Sequence, residues 1–257
     1  MCILAIQYKS VPDAPILVAA NRDEFYDRPS TTPSIQSGKP RILSGVDQQA
    51  GGTWLGVNQH GLFVAACNRR KLIPPVVPRS RGVLCRELLR SSSAQEAVGL
   101  AMDELLSKRY EGVNYIIADG ETGWAVHGTD EPEVVPLKEG LNVIGNRNLN
   151  DPRDERCQLA SRLLTLQTLD SSVKFLAVAS KVFARSPVSP MRPSMVLRSN
   201  DRGTVSSTLL ALGLKPRDAI YQFAAGAPDE NRYEDYSPML RDILSRGLRE
   251  ARAKAKA

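Results

Sequence analysis

Residues 1–29 read MCILAIQYKSVPDAPILVAANRDEFYDRP. Two apolar runs, 3–8 and 16–20, flank VPDAP, where two prolines and an aspartate mark a turn. Both runs are too short for a helix and are rich in Ile, Leu and Val, so they read as adjacent antiparallel strands. The second run ends in the charged stretch Asn21-Arg22-Asp23-Glu24. The same pattern recurs downstream. Runs 54–57 and 62–67 surround the polar turn Asn58-Gln59-His60-Gly61 and form a hairpin. Runs 113–118 and 124–128 flank DGETG, and runs 134–137 and 141–144 flank KEG, giving two more expected hairpins. Runs 195–198, 204–212 and 219–224 read as strands separated by NDRG and GLKPRD. The stretch 28–52 is rich in Pro, Ser, Thr and Gly and reads as loop, with a short strand near 42–43.

Helices fall in packets between these strands. One short helix is expected over 83–90. Ser93-Ala94-Gln95-Glu96 is a capping box, in which the serine hydroxyl and the glutamate carboxylate satisfy each other's free N–H groups. It opens a helix toward Arg109, with Ala97, Leu100, Ala101 and Leu105 on one face. Asp151-Pro152 supplies an N-cap and a proline at N1 for a helix running toward Leu166. A further helix spans 170–184, and Ser237-Pro238 starts the last one. Short turns between successive strands make the sheets mostly antiparallel, and helix packets on such sheets give a layered α+β fold. The chain is expected to form one domain over 1–257, with a basic tail at 246–257.

The 257 residues are 42% hydrophobic and 24% charged, ordinary values for a globular protein that exclude collagen-like and disordered classes. Apolar runs stay below the length of about 18 residues that a membrane-spanning helix needs, so no integral membrane segment is expected. The start has only a five-residue apolar stretch, no basic lead and no small-residue cleavage site. The expectation is therefore no secretory signal and a cytoplasmic location. Net charge is +6, but 246–257 holds five basic residues against one acid, so most of the excess sits in the tail. That distribution reads as a solvated helix end, with no nucleic-acid partner. The four cysteines, Cys2, Cys67, Cys85 and Cys157, form no CxxC pair. They read as reduced thiols, with Cys85 and Cys157 in the core and no metal site.

No zincin helix, P-loop, GxGxxG or GxSxG motif is present. Of the two histidines, His60 lies in a turn and His127 on a strand, so a Cys–His dyad is poorly supported. Cys2 offers another route. Removal of Met1 would leave a thiol and an α-amine on one residue, and that amine has an ordinary pKa of about 7.7–8.0. It can take the thiol proton directly or through a water, which makes an N-terminal nucleophile without histidine. Arg22 and Asp23, two opposite charges at a strand end, read either as a solvated strand end or as groups that hold a thiolate and an ammonium, and a nearby cation lowers a thiol pKa.

These residues resemble a known family. MCI at 1–3, ILVAANRDEFYDRP at 16–29, ILSG at 42–45 and GGTWLGVNQHGLFVAACN at 51–68 look like the NRDE family, also called the transport and Golgi organisation protein 2 family. The resemblance continues through RG at 81–82, VNYIIAD at 113–119, GLNVIGN at 140–146 and GTVSST at 203–208. It implies an N-terminal-nucleophile (Ntn) hydrolase fold of αββα layers: two mostly antiparallel sheets packed face to face, with helices outside. The cysteine branch of that fold, which includes penicillin V acylase and bile salt hydrolase, implies catalytic positions at Cys2, Arg22, Asp23 and Asn68, with Asn146 as a second family asparagine. The two asparagine amides would donate to a developing oxyanion. The sequence departs from the family where its late GTR[ST] motif has an arginine and this chain has Val205. Arg202 is expected to face elsewhere. Arg22 and Asp23 are also adjacent, where the acylase pattern separates them by two residues.

Two function classes follow. The first is an amidase-type or acylase-type hydrolase acting on a small-molecule amide or acyl substrate, without a cofactor. The second is a non-catalytic ligand-binding or trafficking protein on the same fold, handling haem or lipid, in which Cys2 or Cys67 meets a ligand.

Overall fold

The computed structural model describes residues 2–187, 189 and 192–255. The chain begins with β1 (Cys2–Val11), β2 (Ala14–Phe25), β3 (Ser34–Gln36), β4 (Ile42–Ser44), β5 (Leu55–Asn58) and β6 (Phe63–Asn68). Helices α1 (Arg81–Leu88) and α2 (Ala94–Leu106) precede β7 (Val113–Ala118), β8 (Gly123–Gly128), β9 (Glu133–Pro136) and β10 (Gly140–Ile144). Then come α3 (Glu155–Leu164), α4 (Ser172–Phe183), β11 (Arg202–Leu212), β12 (Ile220–Ala224), β13 (Glu234–Asp235) and α5 (Ser237–Lys254).

The strands make two sheets, ordered β10-β1-β2-β11-β12-β13 and β3-β4-β5-β6-β7-β8-β9. The described strand pairs are antiparallel. Side chains alternate along a strand, so each sheet has an inner and an outer row. In β1 the inner row carries Leu4, Ile6 and Tyr8, which meet Phe63, Ala65 and Cys67 of β6 and Ile116 of β7. The outer row, Ile3 and Ala5, packs with Leu17 and Ala19 against Cys157, Phe175, Ala179 and Phe183 of α3 and α4. Beneath the other sheet, Val64 and Tyr115 pack on Leu84, Leu88, Ala97 and Ala101 of α1 and α2. The result is α, β, β, α in layers, the α+β architecture expected from the sequence. Helix α5 sends Leu240 and Ile243 into the inner core, and its Arg249 and Arg252 are exposed.

Several local expectations are corrected. Strands β9 and β10 do not form a hairpin: β9 pairs with β8, and β10 pairs with β1 in the other sheet. Hydrophobic pattern identifies strands but not their partners, and KEG is where the chain crosses between layers. Helix α3 starts after Asp154, whose side chain accepts from the Cys157 N–H. Asp151 instead binds its neighbour Arg153 through an ion pair of 2.9 Å. The capping box is shifted. Ser93 Oγ accepts from the Glu96 N–H, but the Glu96 carboxylate returns to the N–H and hydroxyl of Ser92. Leu100 is exposed, and Ala94 completes the buried face with Ala97, Ala101 and Leu105. Residues 195–198 are not a strand; the Met195 and Val196 N–H groups donate to the Arg185 carbonyl, and only Arg198 bridges to Gly203. Strand β3 was read as loop, because three residues among prolines and serines give too short a pattern.

Two helical glycines make opposite predictions. A Cβ on Gly247 of α5 would come within 1.9 Å of the Gln59 carbonyl oxygen, whereas a Cβ on the exposed Gly99 of α2 would meet nothing. Alanine is the better helix former by about 1 kcal/mol. Urea unfolding should therefore find Gly99→Ala stabilising by up to about 1 kcal/mol, and Gly247→Ala destabilising because the backbone contact outweighs the propensity gain. Equal effects at both positions would contradict the close approach of α5 to the β5–β6 turn.

Candidate active site

Cys2 lies opposite Arg22 in the β1–β2 ladder. Alternation puts Cys2 in the inner row with Leu4, and Arg22 in the inner row with Ala20 and Val18. Asp23, the next residue, must point the other way, toward α3. Adjacency in sequence therefore separates the two charges onto opposite faces of the sheet. Arg22 is 5% exposed and lies 4.2 Å above the Trp54 ring. Its Nη1 donates to Ser30 Oγ at 3.2 Å, and Nη2 lies 4.0 Å from Glu24. Burial lowers the Arg22 guanidinium from its ordinary value, against the pull of the nearby Cys2 sulfur.

The Cys2 sulfur is enclosed although the residue is only half-buried. The Cys67 thiol brings the Cys2 pKa down to about 6, aided by the positive charge of the chain start and the Asp23 backbone N–H and opposed by burial and the Asp23 carboxylate. The same contact pushes the buried Cys67 thiol well up. Of the two thiols, Cys2 is thus the more acidic.

Cys2 stands where three cavities meet. A cleft of about 920 Å³ is lined by Cys2, Asn146, Arg147, Arg156 and Arg198. A second, of about 240 Å³, is lined by Cys2, Arg22, Trp54 and Asn68. Between the sheets, a gap of about 20 Å³ is shared by Cys2, Arg22 and Cys67. Asn68 ends β6, one residue past Cys67, and so leaves the inner row. Asn146 follows β10 and donates through Nδ2 to the Asn68 backbone carbonyl. The Asn146 side chain is thereby tied to the Asn68 backbone; Asn146 lines the larger cleft with Cys2, and Asn68 the smaller one.

The Asp23 carboxylate is held on the α3 side. Thr204 Oγ1 donates to it at 2.6 Å, and Arg156 Nη1 at 2.5 Å. Arg156 also donates to the Ser194 and Met195 carbonyls. Val205 is half-buried and faces a separate cavity lined by Tyr26, Arg198 and Glu230. Arg202 is exposed and stacks 4.3 Å over Phe25. Sequence reasoning missed Arg156 and Thr204. Thr204 lies beside Val205 in the quoted motif, but Arg156 is one of many arginines and has no local signal.

His127 is 1% exposed. Its Nδ1 meets Asn114 Oδ1 at 2.8 Å, and its Nε2 accepts from the Leu149 N–H at 3.4 Å. Asn114 in turn donates to the Gly145 and Arg147 carbonyls. This network holds the loop that carries Asn146. Burial, then the Arg69 charge, lowers the His127 pKa to about 4. Among the described residues, no group of three or more His, Cys, Asp or Glu is arranged to hold a metal ion, and no helix is long and apolar enough to cross a membrane.

The family model for Transport and Golgi organisation 2 matches residues 1–185. The chain belongs to that family. The Transport and Golgi organization 2 homolog of Mus musculus is 31% identical over 169 residues, and the Homo sapiens homolog is 30% identical over the same length. Each match covers 61% of this chain and 61% of the relative, so the chain spans under two thirds of the curated relatives' length. Among solved structures, penicillin V acylase from Agrobacterium tumefaciens aligns with a TM-score of 0.58 at 12% identity, covering 87% of this chain and 83% of that one. A Caenorhabditis elegans ortholog of N-acylethanolamine-hydrolyzing acid amidase aligns with a TM-score of 0.54 at 16% identity, covering 82% and 92%. The fold is that of the Ntn hydrolases.

Two predictions arise here. Removing one partner of a buried ion pair costs about 3–5 kcal/mol, because the other charge stays buried. Arg156→Met should therefore destabilise by that order in urea unfolding, and Asp23→Asn in the same background should recover part of the loss. Additive losses would mean that the pair is not coupled. His127 is held neutral, so its folded pKa lies below its unfolded value of 6.5. Its contribution is complete above pH 6.5 and is lost as pH falls toward 4. His127→Gln should flatten the fall in unfolding midpoint across that window; a parallel pH profile in the variant would exclude the linkage.

Proposed function

We propose that this chain is a cysteine amidase or acylase of the N-terminal-nucleophile type, with Cys2 exposed by removal of Met1. Met1 itself lies outside the described residues. The observation that carries this reading is a lowered, hydrogen-bonded Cys2 sulfur at the edge of a cleft of about 920 Å³. Its support is the likeness in fold to a penicillin acylase and an acid amidase.

In this reading the Cys2 sulfur attacks the substrate carbonyl carbon, and the carbonyl oxygen takes the negative charge. Asn68 and Asn146 supply amide donors to that oxygen. Arg22 balances the thiolate before attack. The α-amine of Cys2 carries the thiol proton and gives it to the leaving amine as the C–N bond breaks. Asp23, fixed by Arg156 and Thr204, orients that amine. Water then attacks the acyl-cysteine, releasing the acid and restoring the thiol. The substrate is a small amide or acyl compound, and the cleft beside Asn146 and Arg147 receives its acyl or amine portion. A cytoplasmic location suits a free thiol.

A second reading rests on the curated relatives, whose names refer to transport and Golgi organization. There the same cleft carries a ligand such as haem or a lipid, and no bond breaks. Intact-mass analysis separates the two. After incubation with a panel of amide and acyl substrates, the hydrolase reading expects a chain lacking Met1 that gains an acyl mass on Cys2. Cys2→Ala should abolish adduct and turnover with the melting temperature nearly unchanged, and Arg22→Ala should reduce turnover. An active chain that retains Met1, or a folded Cys2→Ala variant with full function, would place the protein with the carriers.

A further inference from the structure

In the hydrolytic reading Cys67 only lowers the Cys2 pKa and makes or breaks no bond. It is buried, yet it shares the small gap between the sheets with Cys2. Both residues occupy inner rows, of β1 and β6 respectively, and both line the gap of about 20 Å³. Sheets that pack face to face usually lie about 10 Å apart. Here some Cα atoms of β1 and β6 come within 8 Å of each other, closer than that usual spacing. Of the two residues, Cys2 also lines the large cleft and Cys67 does not, so a small oxidant from solvent meets Cys2 first.

We propose that Cys2 and Cys67 form a dithiol–disulfide couple, in which Cys67 resolves a Cys2 that has reacted with a small peroxide. The Cys2 thiolate attacks one peroxide oxygen and the O–O bond breaks. This gives a Cys2 sulfenic acid and hydroxide, which takes a proton from solvent to become water. The Cys67 sulfur then attacks the Cys2 sulfur. The S–O bond breaks, and the sulfenic oxygen leaves as a second water with the Cys67 proton. Two electrons pass from the two thiols to one peroxide. The product ties the sheets together, shuts off the nucleophile, and protects it from further oxygen addition, which is irreversible beyond the sulfenic stage in the absence of a dedicated repair enzyme. The reaction with peroxide follows thiolate character and access, both of which favour Cys2 over Cys67.

The other thiols are placed differently. Cys85 is a buried residue of α1, in the opposite outer layer. Cys157 also borders the large cleft, but it packs in the outer layer with Ile3, on the far side of β1 from Cys67. Position in the alternating rows, and not mere proximity to the cleft, selects Cys67.

The test uses the full chain without substrate, so it stands or falls separately from hydrolysis. Reduced protein is treated with graded hydrogen peroxide, remaining thiols are alkylated, and intact mass and non-reducing peptide maps are recorded. The expected product has lost two hydrogens and two alkylatable thiols, contains a linked Cys2–Cys67 peptide, and returns to the starting mass with dithiothreitol. Under the same conditions Cys67→Ala should gain oxygen on Cys2 that dithiothreitol does not remove, and Cys157→Ala should form the disulfide as the wild type does. If Cys67→Ala fails to fold, the wild-type peptide map decides alone. Oxygen addition to wild-type Cys2 without a disulfide, or a link from Cys2 to Cys157, Cys85 or another molecule, overturns the proposal.

Discussion

The antiparallel pairing of β1 with β2 sets Cys2 opposite Arg22, and the rest of the site is arranged around that register. A slip of one residue would reverse every side chain on the strand. It would send Leu4, Ile6 and Tyr8 to the helices and carry Cys2 away from Cys67. The inner core of Phe63, Ile116, Leu210 and Tyr221 therefore fixes the chemistry as well as the stability, because it permits only one register. The same rule explains the NRDE stretch. Arg22 and Glu24 point inward, while Asn21 and Asp23 point toward α3 and α4. Asn21 donates to the Phe183 and Met195 carbonyls, and Asp23 is clamped by Arg156. Four consecutive polar residues thus serve two layers.

At the Cys2 sulfur, burial and local donors oppose each other. Removing a thiolate from water raises its pKa, as the buried Cys85 illustrates, where burial acts without a donor. Cys2 differs because the Cys67 thiol and the Asp23 N–H both aim at its sulfur, with Arg22 across the strand. Donors win there because they are fixed by the two sheets before any substrate arrives. Arg22 is itself held by Ser30 and the Trp54 face, so its position does not depend on the sulfur.

Much of this was legible in the sequence where the code is local. Apolar runs and tight turns marked β1, β2, β5, β6, β7, β8 and the layered architecture, and the NRDE and GGTWLG stretches led to the family. Partner choice was less legible. The strands β9 and β10 look like a hairpin, but they serve different sheets, since adjacency in sequence carries no information about which layer a strand joins. Helix starts also shifted, because Asp151 and Asp154 are both competent caps and only packing decides between them. At the site, Cys67 and Arg156 act through contacts spanning 65 and 133 sequence positions. No pattern within a segment encodes such contacts.

Cys2 is held as a thiolate near neutral pH chiefly by its contact with Cys67. The direct measurement is the rate of Cys2 alkylation by iodoacetamide as a function of pH, followed by peptide mass, with the three buried cysteines as internal controls. The account predicts a rate that rises with an apparent pKa of about 6, and a curve displaced to higher pH in Cys67→Ala. A wild-type curve centred near the ordinary thiol value of 9.0, or one unmoved by the Cys67 substitution, would contradict it.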